Sequence, residues 1–207
     1  MMRNDAGTPR LNRVESRIFR LARPYLQVRD NELHAQNAVE FAFKLLTLYE
    51  ADRAIVIPAM ILHDVGWSRV SEEITRKACR PHADRQLARI HEEESVKIGG
   101  EILEEAGYDR DRVTEILVII DGHDTRVEAL SINDRIVKDS DKLTRYAKNF
   151  WFWTRQLPMV PEELAGDLEG MINQWFFLPE SKKMAKAEIT RRRLEIDNRR
   201  DPYPAPK

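Results

Sequence analysis

The stretch that most constrains this chain is Ala59-Met60-Ile61-Leu62-His63-Asp64-Val65-Gly66-Trp67. An apolar run ends in a histidine followed directly by an aspartate. Such a run is buried in a folded chain, and burying two ionisable side chains at its end is costly unless both are satisfied. A divalent metal ion satisfies both at once, taking a nitrogen from the imidazole and an oxygen from the carboxylate. Gly66 is then expected to let the chain turn sharply away. The remaining chain is expected to bring further ligands to the pair.

The chain has 207 residues, 42% of them hydrophobic and 33% charged, which suits one domain with a buried core and a charged surface. A formal net charge of -1 argues against a nucleic-acid polymer as partner, because such binding calls for a basic excess or stripe. The lone Cys79 excludes an internal disulfide framework and fits a reducing compartment. The first residues carry charge but no apolar secretory core, and no apolar run reaches the roughly 18 residues of a membrane span. The expectation is a cytoplasmic protein with no membrane partner.

Helical periodicity runs through the chain. Leu11, Val14, Ile18 and Leu21 mark a first helix limited by Pro24. Asp30 or Asn31 opens a second, to about Tyr49, with His34, Ala38, Phe41, Ala42 and Leu45 on one face. A third covers roughly Asp52 to Leu62, and Pro58 is expected to kink or break it. Residues 66–81 read as a loop or short helix. From Ala83 to Ala106, His91, Ser95, Ile98, Gly99 and Ile102 line one face, with Gly107 as the stop. Asp109 or Asp111 starts a helix whose face carries Val113, Ile116, Leu117, Ile120 and His123. Asn133 or Asp134 starts another, and helices near Glu162–Phe177 and Glu180–Asn198 end the chain. No strand alternation, repeat or phosphate-binding glycine loop is visible. The expected fold is an all-α, single-domain helical bundle with a C-terminal helical extension. Its parts are a lead-in (1–29), a core (30–150), C-terminal helices packing on the core (151–200) and a tail (201–207).

Four of the five histidines, His34, His63, His91 and His123, fall on apolar helical faces or ends. The segment Val137-Lys138-Asp139-Ser140-Asp141-Lys142-Leu143 adds two acids in a helix expected to pack in the same core. Helix phase does not choose between Asp139 and Asp141, although Asp139 lies more squarely with Ile136 and Leu143. A mixed imidazole and carboxylate set suits Mn, Fe, Co, Ni or Zn, with Mg as a further candidate, better than Ca. A single histidine on an apolar face is usually a core residue bonded to a carbonyl. Periodicity alone does not decide between a metal cluster and such core histidines.

In this order the residues resemble the HD-domain superfamily of metal-dependent phosphohydrolases. That pattern is a helix histidine, a His-Asp pair and a distant aspartate, matched by His34, His63-Asp64 and Asp141. Leu-His-Asp-Val-Gly resembles the family's Leu-His-Asp-Ile-Gly, and Ser-Asp-Lys-Leu resembles its Ala-Asp-Arg-Leu. The resemblance covers roughly residues 30–150 and selects Asp141 over Asp139. It implies His34, His63, Asp64 and Asp141 as metal ligands. His91 and His123 match histidines that hold a second metal or contact substrate phosphate in some members. Asp124-Thr125-Arg126 stands where a Gly-Tyr-Pro motif would follow His123, which argues against a cyclic-dinucleotide phosphodiesterase of the HD-GYP type.

The implied reaction is hydrolysis of a phosphate ester, with nucleotides among the candidates, by hydroxide formed from metal-bound water. Asp64, His91 and His123 are the expected catalytic residues, with Asp64 able to bridge to a second metal. Lys97 and Lys142 are candidate phosphate-binding cations. The alternative from another class is a metal- or nucleotide-binding regulatory module without turnover. The aromatic residues Phe150–Trp153, Trp175, Phe176 and Phe177 are expected as core contacts of the C-terminal helices, with a substrate-stacking surface or homodimer interface as alternatives. The charged segment Lys182–Arg200 reads as a solvated helix face.

Overall fold

The run that ends in His63 forms a helix apolar on every side, and such a helix has to be central. The computed structural model describes residues 10–78, 85–147, 149–156 and 159–198. Here the apolar run is α3 (Arg53–Leu62), with every residue from Ile55 to Leu62 buried. Each buried Ile, Val, Leu or Met side chain contributes about 1.5–3 kcal/mol. Packed against α3 are α1 (Arg13–Ala22), α2 (Asn31–Leu46), α6 (Arg110–Ile120) and α7 (Ile132–Tyr146). A 3-10 turn, Val65–Arg69, follows the His-Asp pair and lies along α5 (Arg85–Glu105), to which α4 (Glu72–Ala78) also packs. The chain ends in α8 (Phe150–Gln156), α9 (Pro161–Trp175) and α10 (Pro179–Asp197), with α9 and α10 packed on each other and on α7. The fold is all-α, with no strand among the described residues. None of the described helices is long and apolar enough to cross a membrane. Cys79 and the tail 201–207 lie outside the described residues.

Of the two outcomes expected at Pro58, a break does not occur, since α3 runs through it from Arg53 to Leu62. Proline removes the hydrogen bond to the carbonyl four residues earlier. That carbonyl belongs to Ala54, and the Tyr108 hydroxyl donates to it instead. Gly66 also works differently from the expected sharp turn. A β-carbon there would collide with the His91 carbonyl and the Ser95 amide, so its role is to let the His-Asp segment approach α5. The Gly66 amide donates to Ser95 Oγ at 2.8 Å. Gly107 does end α5, at φ 65°. Tyr108 N–H reaches Leu103 O and Gly107 N–H reaches Glu104 O, both at 2.9 Å, the paired bonds of a Schellman cap. The start of α7 is capped by Ser131 rather than Asn133 or Asp134.

The last two helices add Leu164, Leu168, Ile172 and Ile189 to the same core. Arg192 on α10 is buried rather than solvated, donating to the Ala147 carbonyl at the end of α7 (3.2 Å) and pairing with Glu195 (3.0 Å). Of the aromatic residues, Phe150, Trp151 and Phe176 are core contacts as expected and half-buried Trp153 and Trp175 pack against that core, while Phe152 is half-buried and Phe177 is exposed. Inside α9, Gly166 and Gly170 each cost about 1 kcal/mol relative to alanine. A β-carbon at either would meet nothing within 4 Å, so no close backbone approach requires them.

Candidate metal centre

Four helices and one turn aim side chains at one cluster. His34 comes from the second turn of α2, His63 and Asp64 from the end of α3, His91 from α5, His123 and Asp124 from the turn after α6, and Asp141 from α7. The histidines meet through their Nε2 atoms. His34 Nε2 lies 3.0 Å from His63 Nε2 and 3.1 Å from Asp141 Oδ1. His63 Nε2 is 3.7 Å from Asp141 Oδ1. His91 Nε2 lies 3.3 Å from His123 Nε2.

Asp64 stands between these two groups and turns one oxygen to each. Its Oδ2 is 3.5 Å from His34 and 3.7 Å from His63. Its Oδ1 is 3.5 Å from His91 and 3.6 Å from His123. Asp124 joins the second group, its Oδ2 3.9 Å from His91 Nε2. An ion bound at about 2.1 Å has neighbouring ligands about 3.0 Å apart in an octahedron and about 3.4 Å apart in a tetrahedron. The separations here cluster around those edges. Imidazole nitrogens facing each other and three carboxylates in one cluster call for a cation between them, so the donor set fits divalent metal.

Second contacts fix which nitrogen faces inward. His63 Nδ1 donates to the Met60 carbonyl (2.8 Å) and His123 Nδ1 to the Ile120 carbonyl (3.0 Å), which leaves each Nε2 lone pair for a metal. His34 Nδ1 is 3.0 Å from the Asn149 side-chain amide and 3.3 Å from the Thr144 hydroxyl. Trp67 Nε1 donates to Asp64 Oδ1 (3.1 Å), and its ring stacks on His91 at 4.1 Å. His123 was expected on the face of α6, but α6 ends at Ile120 and His123 sits in the following turn. That turn is held from two sides. Buried Glu92 accepts the amides of Asp124 (2.8 Å) and Thr125 (2.9 Å) and the Thr125 hydroxyl (2.6 Å). Buried Lys138 donates to the carbonyls of Gly122, His123 and Arg126.

The electrostatics reflect the same two groups. Burial opposes charge on His123, but Asp64, Asp124 and Glu92 outweigh it and raise its pKa from 6.5 to about 9. Burial and the His123 charge push His91 down to about 4. Burial works against ionised Asp64 too, yet His63, His123 and the other imidazoles hold its pKa well below 3.8. The metal-free second group therefore keeps one proton at neutral pH, on His123. A metal must displace that proton, and the proton leaves more easily as pH rises towards about 9. Metal affinity there should rise about tenfold per pH unit between pH 7 and 9 for each proton released. Titration calorimetry in buffers of different ionisation enthalpy measures both quantities. Affinity flat with pH, and no proton released, would contradict this account.

Asp139 and Asp141 face different ways. Asp141 meets the imidazoles. Asp139 accepts the backbone N–H groups of Phe177 (3.0 Å) and Leu178 (2.9 Å) at the start of α10. Replacing Asp139 with alanine should cost about 1–3 kcal/mol of stability by orphaning those amides and leave metal affinity unchanged. Thermal melts beside a metal titration check this, and lost metal binding would contradict it.

The cluster opens into a cavity of about 580 Å³, within the range of small-molecule sites. His34, Asp64, Asp124 and Asp141 line one end, together with Arg29, Asn31, Arg145 and Asn149. The structure puts neither expected lysine on this lining. Lys97 is solvent-exposed and paired with Glu94 at 2.6 Å, the usual state of a long cation on an open helix face. Lys142 is half-buried, and its charge acts on Asp124 and Asp139. The cations on the lining are arginines. The Arg29 guanidinium lies 4.3 Å over the Trp67 ring, and its Nη1 is buried with no hydrogen-bond partner among the described residues. Arg29 and Asp30 both have φ near +55°, strain of about 1–3 kcal/mol each. Arg145 is 3.9 Å from Asp124.

Sequence reasoning missed Asp124, Arg29, Arg145, Glu92 and Lys138 as parts of this site. Asp124 had a readable signal, since His123-Asp124 repeats the His63-Asp64 dipeptide. The others are single charged residues whose partners lie far along the chain.

Fold and site together define an all-α protein with a buried histidine–aspartate centre suited to divalent metal. Residues 32–146, more than half the chain, match the HD domain. The chain belongs to the HD-domain family, the superfamily of metal-dependent phosphohydrolases. It is similar in fold to the crystal structure of a predicted HD superfamily hydrolase from an uncultured Thermotogales bacterium, at 19% identity and a TM-score of 0.59 over 88% of each chain. No curated protein matches the chain.

Proposed function

We propose that this protein hydrolyses a phosphate ester, with nucleotides among the candidate substrates, at a centre of two divalent ions that share Asp64. The observation that carries this reading is the Asp64 carboxylate, which turns one oxygen to His34 and His63 and the other to His91 and His123. His34, His63, Asp64 and Asp141 would hold one ion, and His91, His123, Asp64 and Asp124 the other. When bound, such ions acidify a water and neutralise charge on a phosphoryl group. The remaining chemistry belongs to the chain. Arg29 and Arg145 line the same cavity and offer guanidinium donors to phosphate oxygens. Trp67 fixes the orientation of Asp64 through its indole N–H. Buried Leu164 and Leu168 add apolar surface to the cavity wall.

The test uses untagged, chelator-stripped protein and a panel of phosphate esters and nucleotides, each with Mn²⁺, Co²⁺, Ni²⁺, Zn²⁺ or Mg²⁺. The expected result is hydrolysis of at least one ester that stops with chelator and returns with metal. Metal bound at the cluster without turnover of any ester would favour the regulatory module instead.

A further inference from the structure

The histidines of the cluster differ in what stands behind them. His63 and His123 each turn Nδ1–H to a main-chain carbonyl, a partner that only accepts. His34 has side chains there instead. The Asn149 amide nitrogen lies 3.0 Å from its Nδ1 and the Thr144 hydroxyl 3.3 Å. Asn149 belongs to the link between α7 and α8, past the residues that match the HD domain. Its backbone N–H is fixed to the Thr144 carbonyl at 3.1 Å. Its side-chain oxygen accepts the Asn37 amide at 2.9 Å. Asn37 is buried and follows His34 by three residues, on the same face of α2.

These contacts have a direction. Asn37 donates to Asn149, and Asn149 donates to His34 Nδ1. A ring nitrogen that accepts carries a lone pair, so the His34 proton sits on Nε2. There it faces Asp141 Oδ1 at 3.1 Å and the lone pair of His63 Nε2 at 3.0 Å. The network is complete in this state, and His34 has no lone pair for an ion. An ion at Nε2 needs the ring proton on Nδ1, with an acceptor facing it. Thr144 is one such acceptor, since its own hydrogen goes to the Asp141 carbonyl at 2.6 Å. Asn149 is closer. Turning its amide over puts oxygen where nitrogen was. Asn37 must turn with it, because otherwise two amide N–H ends would face each other. Both turns together keep both contacts, so the relay runs in either direction.

We propose that Asn149 is the positioning residue of His34, and that the Asn37–Asn149 amide pair reverses when a divalent ion takes His34 Nε2. The ring gains and loses no proton overall; the proton changes nitrogen. The proposal rests on the reading of His34 as a metal ligand. It makes the amide pair part of the binding step, so an acceptor held permanently beside Nδ1 should tighten that ion.

The experiment reads the His34 tautomer in the whole chain from its ring-nitrogen NMR shifts above neutral pH, with His34→Gln assigning the signals. Chelator-stripped wild type should carry the proton on Nε2, and excess Zn²⁺ should move it to Nδ1. Asn149→Asp offers one oxygen to the Asn37 amide and the other to His34. It should therefore carry the proton on Nδ1 without metal and bind Zn²⁺ about tenfold or more tightly than wild type, read against a competing chelator dye. Thr144→Val removes the other acceptor and should still show the Zn²⁺-driven move. A proton on Nδ1 in stripped wild type, equal or weaker Zn²⁺ binding in Asn149→Asp, or loss of the move in Thr144→Val overturns the proposal. If Zn²⁺ leaves the wild-type His34 shifts unmoved, the metal reading is what fails. The relay is then decided by the stripped proteins alone. Nε2–H in wild type with Nδ1–H in Asn149→Asp supports it, and one tautomer in both overturns it.

Discussion

Asp64→Ala should abolish metal binding at both groups of the cluster and lower hydrolysis by about 10³-fold or more, with the helical fold intact. The size follows from position. Every other ligand serves one group, whereas Asp64 serves both, and its charge offsets that of each ion. The fold should survive because the core is carried by α3 and its neighbours, not by the carboxylate. Bound metal stabilises wild type by linkage, so the two proteins must be compared with metal stripped from both. Circular dichroism melts of the chelated proteins should then differ by only a few degrees. If chelated Asp64→Ala unfolds far more easily, Asp64 is chiefly structural. If it folds equally well and hydrolyses at the wild-type rate once metal is restored, the mechanism is wrong.

Lys138→Met should have the second large effect, on stability and on one ion only. The Lys138 ammonium donates to three carbonyls of the turn that presents His123 and Asp124. Burial lowers its pKa from 10.5 to about 8, so it remains mostly charged at neutral pH. Methionine fills similar space but donates nothing. The Gly122 carbonyl keeps the Arg126 N–H at 3.2 Å. Those of His123 and Arg126 lose the Lys138 donor at about 1–3 kcal/mol each, so a loss of about 2 kcal/mol or more is expected in denaturant titrations. The freed turn should weaken the ion held by His91, His123 and Asp124, and the ion held by His34, His63 and Asp141 should stay. Metal analysis after dialysis should therefore show a drop from two equivalents towards one. Glu92→Gln loosens the same turn from α5 and should act in the same direction with smaller size. Two ions retained at wild-type affinity in Lys138→Met would show that the clamp does not position the ligands.

The two variants also show where sequence reasoning reached and where it stopped. The helices were legible because their apolar faces repeat at helical spacing, and α3 because it is apolar throughout. The ordered set His34, His63-Asp64 and Asp141 was legible through a family pattern; helix phase alone does not choose between Asp139 and Asp141. Asp139 points instead to the start of α10, because its partners, the amides of Phe177 and Leu178, come from distant chain. At Pro58 the helix continues because Tyr108, from outside it, satisfies the freed carbonyl, a partner that no local rule shows. Lys97 was chosen for its charge, but water and Glu94 satisfy it. Arg29 reaches the cavity through a left-handed backbone that no pattern of residue types announces. The residues that hold the second group were hidden for the same reason: Glu92 and Lys138 act on backbone atoms more than ten residues away.

The most direct measurement is anomalous diffraction from a crystal of the untagged protein loaded with Mn²⁺. The account predicts two anomalous peaks, one on each side of the Asp64 carboxylate, the first among His34, His63 and Asp141 and the second among His91, His123 and Asp124. No peak within this cluster, together with phosphate-ester hydrolysis that survives chelation, would contradict it.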